Sequence, residues 1–264
     1  MRLEKHQRIL FIGDSFTAAN DVSDSKTYYS LVGDAIGTTI FAYGCGGYGS
    51  LQEYMILDEY LDAISPDVVV WQFCYNDFFD NSWPMARERG NEMRRPFLSE
   101  DGKIFYAGSN NDSSLRHFLS KYMLLTRRLF EKAYEIESYI GMRFNFEQNI
   151  NEIGLRHEGF RQSVQTTRKI MSMVRNRIPK ARIVAFSVDN TQPYLDQFQE
   201  IAKEQQIEFI DGIGSAIQNA EDRGITVRSS DKFHWNETGN SICANLIVCY
   251  LRSTPGATVP YGGQ

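Results

Sequence analysis

Two short stretches near opposite ends of the chain hold the side chains best suited to moving a proton. "SSDKFHWN" places Asp231 and His234 three residues apart, just ahead of an apolar helical run. In a tight turn that spacing lets the carboxylate reach Nδ1 of the same imidazole, which fixes the tautomer and leaves Nε2 free to accept a proton from a hydroxyl. "RILFIGDSFTAAN" places Ser15 where an apolar run breaks at Gly13. Taken alone, Ser15 reads as a nucleophile, a phosphate-loop hydroxyl or the cap of the next helix. His6, His117 and His157 have no comparable carboxylate arrangement and read as surface or packing residues.

A serine that attacks an acyl carbon also needs donors for the oxyanion that develops, and such donors are worth several powers of ten in rate. Two stretches offer them. The glycines of "YGCGGYGS" let backbone N–H groups turn toward a ligand at little steric cost. "CYNDFFDN" presents the side-chain amide of Asn76. Singly, the first is a tight turn and the second a turn residue. Asp14 and Asp77, which flank Ser15 and Asn76, read as carboxylates that accept backbone N–H groups and stiffen their loops.

These groups meet only if the elements carrying them share one rim. Arg8–Ile12 is a short apolar run fit for a strand buried on both faces. A helix follows from Thr27 to Gly37, then a strand in "TTIFAYG", a helix in "SLQEYMILDEYLDAI" ended by Ser65-Pro66, and a strand in "DVVVWQF". The rhythm resumes with a helix from Gln162 to Arg177, a strand in "ARIVAFSV", a helix from Gln192 to Gln205, a strand in "IEFIDGI" and a last helix from Glu237 to Leu251. Five parallel strands with interleaved helices predict a three-layer α/β/α sandwich around a doubly wound, flavodoxin-like sheet. Ser15, the glycine loop and Asn76 then follow the first, second and third strands, at the carboxyl edge where such sheets bind ligands.

The stretch from Phe78 to Phe160 is far longer than an ordinary connection and reads as an insertion after the third strand, within one domain spanning 1–264. Its position makes it a candidate lid or substrate wall. Its first half is turn-rich and mixes aromatics with arginines, among them Trp83, Arg87, Arg94, Arg95, Phe105 and Tyr106, which suit contact with a polar or sugar substrate. Its second half, Leu115 to Ile140, has helical apolar spacing that would cover the core or a partner, so the oligomeric state stays open. The C-terminal "STPGATVPYGGQ" reads as a tail.

A formal net charge of −5 and a pI near 5.5 give no basic field for sequence-independent nucleic-acid binding. Cys45, Cys74, Cys243 and Cys249 lack CxxC spacing and histidine partners, so they read as reduced, packed thiols and no zinc site is expected. No run of eighteen apolar residues is present to span a membrane. "MRLEKHQ" leads straight into the first strand without a leader core, so a cytoplasmic location is the expectation; a secreted or periplasmic chain trimmed of its leader would look the same.

In order along the chain, the four stretches resemble the blocks of the SGNH, or GDSL-type, serine hydrolases. "GDSF" is similar to the first block, "GCGGYGS" to the second, "CYND" to the third and "DKFH" to the DxxH block. The resemblance implies that Ser15 is the nucleophile and also gives one oxyanion N–H, that Gly47 gives a second from its backbone, and that Asn76 gives a third from its side chain. It assigns His234 as base and Asp231 as its orienter, with an acyl-enzyme intermediate and no metal or organic cofactor. Three positions depart from the pattern: Phe16 replaces a leucine, a swap expected to matter little, Cys74 replaces a glycine and Ala42 an asparagine. They spare the catalytic groups and alter the pocket, so the substrate is not carried over with the resemblance.

The expected reaction is hydrolysis of a short acyl or acetyl ester of a small molecule or carbohydrate. O-acyl transfer shares the acyl-enzyme and is not separable from sequence. A nucleotide- or flavin-binding module is the rival from another class. Against it, "GDSFTAAN" lacks the glycine density of a phosphate loop, Asp14 would put negative charge beside the phosphate, and Asp231 and His234 would go unused.

Overall fold

A computed structural model of the chain describes residues 7–89, 93–108 and 149–253. Five parallel strands form its central sheet: β1 (Arg8–Gly13), β2 (Thr39–Gly44), β3 (Val68–Phe73), β6 (Arg182–Ser187) and β7 (Glu208–Phe209). Their order is β2-β1-β3-β6-β7. β3 is central and buried along its whole length, which is why Val68–Phe73 reads as an unbroken run rather than an alternation. The chain winds from β1 out to β2, then returns across β1 to β3, so the winding reverses between β1 and β3 and opens the crevice where doubly wound sheets bind ligands.

Helices flank the sheet. α2 (Tyr28–Ile36), α8 (Ile213–Asp222) and α9 (Glu237–Ser253) bury Tyr28, Val32, Ile217 and Ile247 against Phe11, Val70 and Phe186. On the other face α3 (Ser50–Ile64) packs on β1, and α7 (Tyr194–Glu204) stacks Phe198 on Phe73 with ring centroids 3.8 Å apart. α6 (Glu158–Arg177) covers and slightly exceeds the predicted Gln162–Arg177 helix.

Two local expectations are corrected. "IEFIDGI" is not one strand: β7 stops at Phe209, Gly212 turns the chain at φ 86°, and α8 begins at Ile213. Ile213, Gly214, Ile217 and Ala220 are buried at helical spacing, a pattern hidden because its first isoleucine adjoins the strand. The turn-rich stretch after β3 holds α4 (Asp77–Asp80), α5 (Trp83–Glu88) and an antiparallel pair, β4 (Arg95–Leu98) with β5 (Ile104–Ala107).

The chain divides into two compact units, Met1–Asp77 with Arg168–Gln264, and Phe78–Thr167. In the second, Arg95 and Asp80 form a buried ion pair at 2.7 Å, Asn81 Nδ2 donates to Thr167 Oγ1 at 3.0 Å, and Trp83 packs on Phe97. Arg95 is thus committed to this unit's own packing rather than free for a substrate, Trp83 is half-buried, and Arg94, Phe105 and Tyr106 are exposed. The predicted helix from Leu115 to Ile140 and the C-terminal tail lie outside the described residues.

Candidate active site

β1 ends in a turn held from three directions. Past Gly13 the chain enters α1 (Ser15–Ala18), and the Asp14 carboxylate accepts the Phe16 N–H at 2.9 Å. The Gln72 side-chain oxygen on β3 accepts both the Asp14 N–H and the Thr17 hydroxyl at 3.0 Å, and Thr17 Oγ1 lies 2.7 Å from the Tyr28 hydroxyl. The turn can sit this close because its neighbours lack side chains. A Cβ on Gly13 would fall 2.2 Å from Gln72 Oε1, and one on Gly44 would fall 2.2 Å from the Ala18 nitrogen. Asp14, 2 % exposed, therefore has the stiffening role its position implied. Gln72 and Thr17 had no local mark in the sequence, because their roles come from tertiary contact, and Gly44, one of the glycines of the quoted loop, proves to be needed for close packing.

The second half of the site is a closed loop ahead of α9. The Asn236 N–H donates to the Val227 carbonyl at 2.9 Å and the Ser229 N–H to the His234 carbonyl at 2.8 Å, with Lys232 at φ 62° making the turn. Inside it Asp231 Oδ1 accepts from Ser229 Oγ at 2.7 Å, the Phe233 N–H at 2.8 Å and the His234 N–H at 3.0 Å. Asp231 Oδ2 is hydrogen-bonded to His234 Nδ1. Partial burial pushes the Asp231 carboxyl up, but these hydrogen bonds outweigh it and hold the group well below the ordinary carboxylate range. Across the crevice His234 Nε2 lies 2.7 Å from Ser15 Oγ, 219 residues away in the chain. With Nδ1–H turned to a carboxylate, Nε2 of the neutral ring is the acceptor for the Ser15 hydroxyl.

Packing and hydrogen bonds tie the two halves together. The Phe16 ring lies 5.1 Å from His234, 5.0 Å from Trp235 and 5.4 Å from Phe233, so the phenylalanine in place of a leucine supports the histidine loop from below. Asn236 Oδ1 caps α9 by accepting the Thr238 and Gly239 N–H groups at 2.9 and 3.1 Å. Asn240 Oδ1 accepts the Tyr28 N–H at 2.9 Å while its Nδ2 donates to the Trp235 and Asn236 carbonyls, fixing this loop to α2.

The two stretches expected to offer oxyanion donors lie past the ends of β2 and β3. Gly13 pairs with Gly44, so Cys45, Gly46 and Gly47 continue beside the Ser15 turn. A Cβ on Gly46 would lie 3.9 Å from the Ser15 Cβ, and Gly47 takes φ 76° in the left-handed region that glycine tolerates. Asn76 stands three residues past the end of β3, in a turn closed by the Asp77 N–H on the Cys74 carbonyl at 2.9 Å. That turn is held by Asp189, whose carboxylate accepts the Tyr75 N–H at 3.3 Å and the Thr191 N–H at 2.9 Å and whose carboxyl is pushed up by burial. Beside the ends of β1 and β2 a cavity of about 170 Å³ is lined by Gly13, Gly44, Cys45 and Tyr48 among others. Cys74 and Cys243 are buried thiols as expected, whereas Cys45 and Cys249 are exposed.

Comparison with known proteins bears on this arrangement. The model of the GDSL-like Lipase/Acylhydrolase family matches residues 11–242. Similar solved structures include a member of the lipolytic G-D-S-L family from Veillonella parvula DSM 2008, with TM-score 0.53 and 12 % identity over 94 % of this chain and 100 % of that one. A lipase/acylhydrolase from Enterococcus faecalis gives TM-score 0.51 and 14 % identity over 93 % and 95 % of the two chains. An acetyl-xylooligosaccharide esterase from Geobacillus Stearmophilus gives 0.51 and 13 % over 94 % and 95 %. At these identities the likeness is one of fold. None of the curated proteins matches the chain in sequence. Among the described residues no helix is long and apolar enough to cross a membrane.

Proposed function

The chain belongs to the GDSL-like lipase/acylhydrolase family and is a carboxylic ester hydrolase, and we propose that it cleaves short acyl esters with Ser15 as nucleophile, His234 as general base and Asp231 as the carboxylate that orients it. The 2.7 Å contact between Ser15 Oγ and His234 Nε2 carries this reading, because it joins groups from opposite ends of the chain in the geometry proton transfer needs. The Ser15 hydroxyl attacks the ester carbonyl carbon and its proton passes to Nε2. The Ser15 and Gly47 N–H groups and the Asn76 amide receive the oxyanion. Collapse of the tetrahedral species expels the alcohol, which takes the proton from His234, and leaves an acyl-serine. Water, deprotonated by the same imidazole, then releases the acid and restores Ser15.

The resemblance in fold to an acetyl-xylooligosaccharide esterase agrees with a carbohydrate as the alcohol portion. We take 1–264 as one hydrolase domain interrupted by an insertion at 78–160. A phosphate-cradling role fits poorly, since the Asp14 carboxylate already occupies the Phe16 N–H that a phosphate would use. The test is turnover of p-nitrophenyl acetate, p-nitrophenyl palmitate and acetylated xylo-oligosaccharides. Acetyl esters should be cleaved in preference to palmitate, and the folded Ser15→Ala variant should be inert. Undiminished turnover by that variant would refute the assignment.

A further inference from the structure

Asp21 lies six residues beyond Ser15, in the loop that leaves α1. Ala19 turns the chain there at φ 47°, and the Val22 N–H closes on the Ala19 carbonyl at 3.2 Å. This turn brings Asp21 Oδ2 to 3.8 Å from His234 Nδ1, beyond a hydrogen bond and within ion-pair range. Asp231 reaches the same nitrogen from the histidine's own loop. One ring atom thus faces two carboxylates, one from each of the segments that bear the Ser15 and His234 atoms in contact. Among the described residues Asp21 makes no other ion pair or side-chain hydrogen bond.

We propose that Asp21 is a positioning residue for His234, a second carboxylate whose charge stabilises the imidazolium formed when Ser15 gives up its proton. The proposal rests on the Ser15–His234 reading above. Asp21 takes no proton and forms no bond; it acts through its field on Nδ1–H. Other charges around the ring are committed elsewhere or lie on its own loop. Asp14 caps α1, Arg228 donates to the Phe233 carbonyl at 2.7 Å while paired with Glu221 at 2.7 Å, and Lys232 sits in the turn between Asp231 and His234. From the α1 side and from its own loop, Phe16 and Phe233 present rings rather than charge. The two carboxylates differ in kind. Asp231 is locked by four hydrogen bonds inside a closed loop, whereas Asp21 is exposed, so solvent screens its charge, and it acts from beyond hydrogen-bond range. Its effect should therefore be modest and sensitive to salt.

The experiment compares Asp21→Asn, Asp21→Glu and His234→Ala with wild type, measuring kcat/KM for p-nitrophenyl acetate against pH at about 20 mM and about 1 M NaCl. At low salt Asp21→Asn should lower kcat/KM about two- to fivefold and move the acidic limb of the profile down by about 0.2–0.7 pH units, since loss of a nearby negative charge disfavours the imidazolium. Asp21→Glu should restore most of both effects, and at 1 M salt the Asn variant and wild type should converge. A purely structural role would lower activity without shifting the limb and without salt dependence. A wild-type profile for Asp21→Asn at low salt, with His234→Ala inert, would overturn the proposal alone. Activity retained by His234→Ala would overturn both it and the site reading.

Discussion

Replacing Gly44 by alanine tests whether the packing beneath Ser15 sets the reaction geometry. The added Cβ would lie 2.2 Å from the Ala18 nitrogen, 2.5 Å from the Thr17 carbonyl carbon and 2.7 Å from the Asp14 carbonyl oxygen. All three are backbone atoms of the turn that carries Ser15, so no flexible side chain can swing aside. An ordinary contact needs roughly 1 Å more, and the turn must retreat from β2 by about that much. Overpacking of this kind costs about 1–3 kcal/mol. A displacement of about 1 Å between nucleophile and base costs on the order of 100-fold in rate. Gly224→Ala is the control. Gly224 lies at φ 77° with open space around its Cα, so alanine there strains the backbone by about 1–2 kcal/mol without touching the site. Urea unfolding and kcat/KM for p-nitrophenyl acetate, measured on both variants, separate stability from geometry. Both should lose stability, and Gly44→Ala alone should lose about 100-fold in kcat/KM. Activity within threefold of wild type for Gly44→Ala would refute the reasoning.

Three further outcomes follow from the histidine loop and the ring that supports it. Asp231→Asn should lower kcat by about 10³–10⁴-fold, because an amide cannot hold the Nδ1–H tautomer; a loss under tenfold would count against the orienting role. The Asp231 carboxyl is held below its ordinary range in the fold, so its contribution to stability is present above about pH 4 and is lost as pH falls through the lowered folded value. The gap in unfolding stability between wild type and Asp231→Asn should accordingly be full at pH 7 and narrow below pH 4. Phe16→Ala should cost about 3–5 kcal/mol and reduce kcat more than it raises KM, since the ring packs against His234 and Trp235; an unchanged kcat would show that His234 does not depend on it.

The frame of the fold was legible because β1 and β3 are short, apolar and bounded by turn residues, and because Ser65-Pro66 and Gly37 end their helices visibly. The pairing of Asp231 with His234 was legible too, since three residues in a tight loop fix their distance locally. What escaped depends on tertiary contact. Nothing around Gln72 marks it as the acceptor for the Asp14 N–H, because that bond exists only when β3 lies beside β1. Asp21 sits in a polar loop with no periodicity, and only the left-handed turn at Ala19 brings it to His234. The contact of the Phe16 ring with His234 and Trp235 likewise joins segments from opposite ends of the chain and has no local mark. α8 was hidden because "IDGI" serves the strand and the helix pattern equally well until Gly212 adopts a positive φ.

The most direct measurement is the location of a covalent adduct. The wild-type protein is treated with an alkyl fluorophosphonate, digested, and its peptides mapped by mass spectrometry. A single adduct on Ser15, absent from Ser15→Ala and strongly slowed in His234→Ala, is the expected result. An adduct on another residue, or equal labelling of Ser15→Ala, would contradict the assignment of Ser15 as the nucleophile.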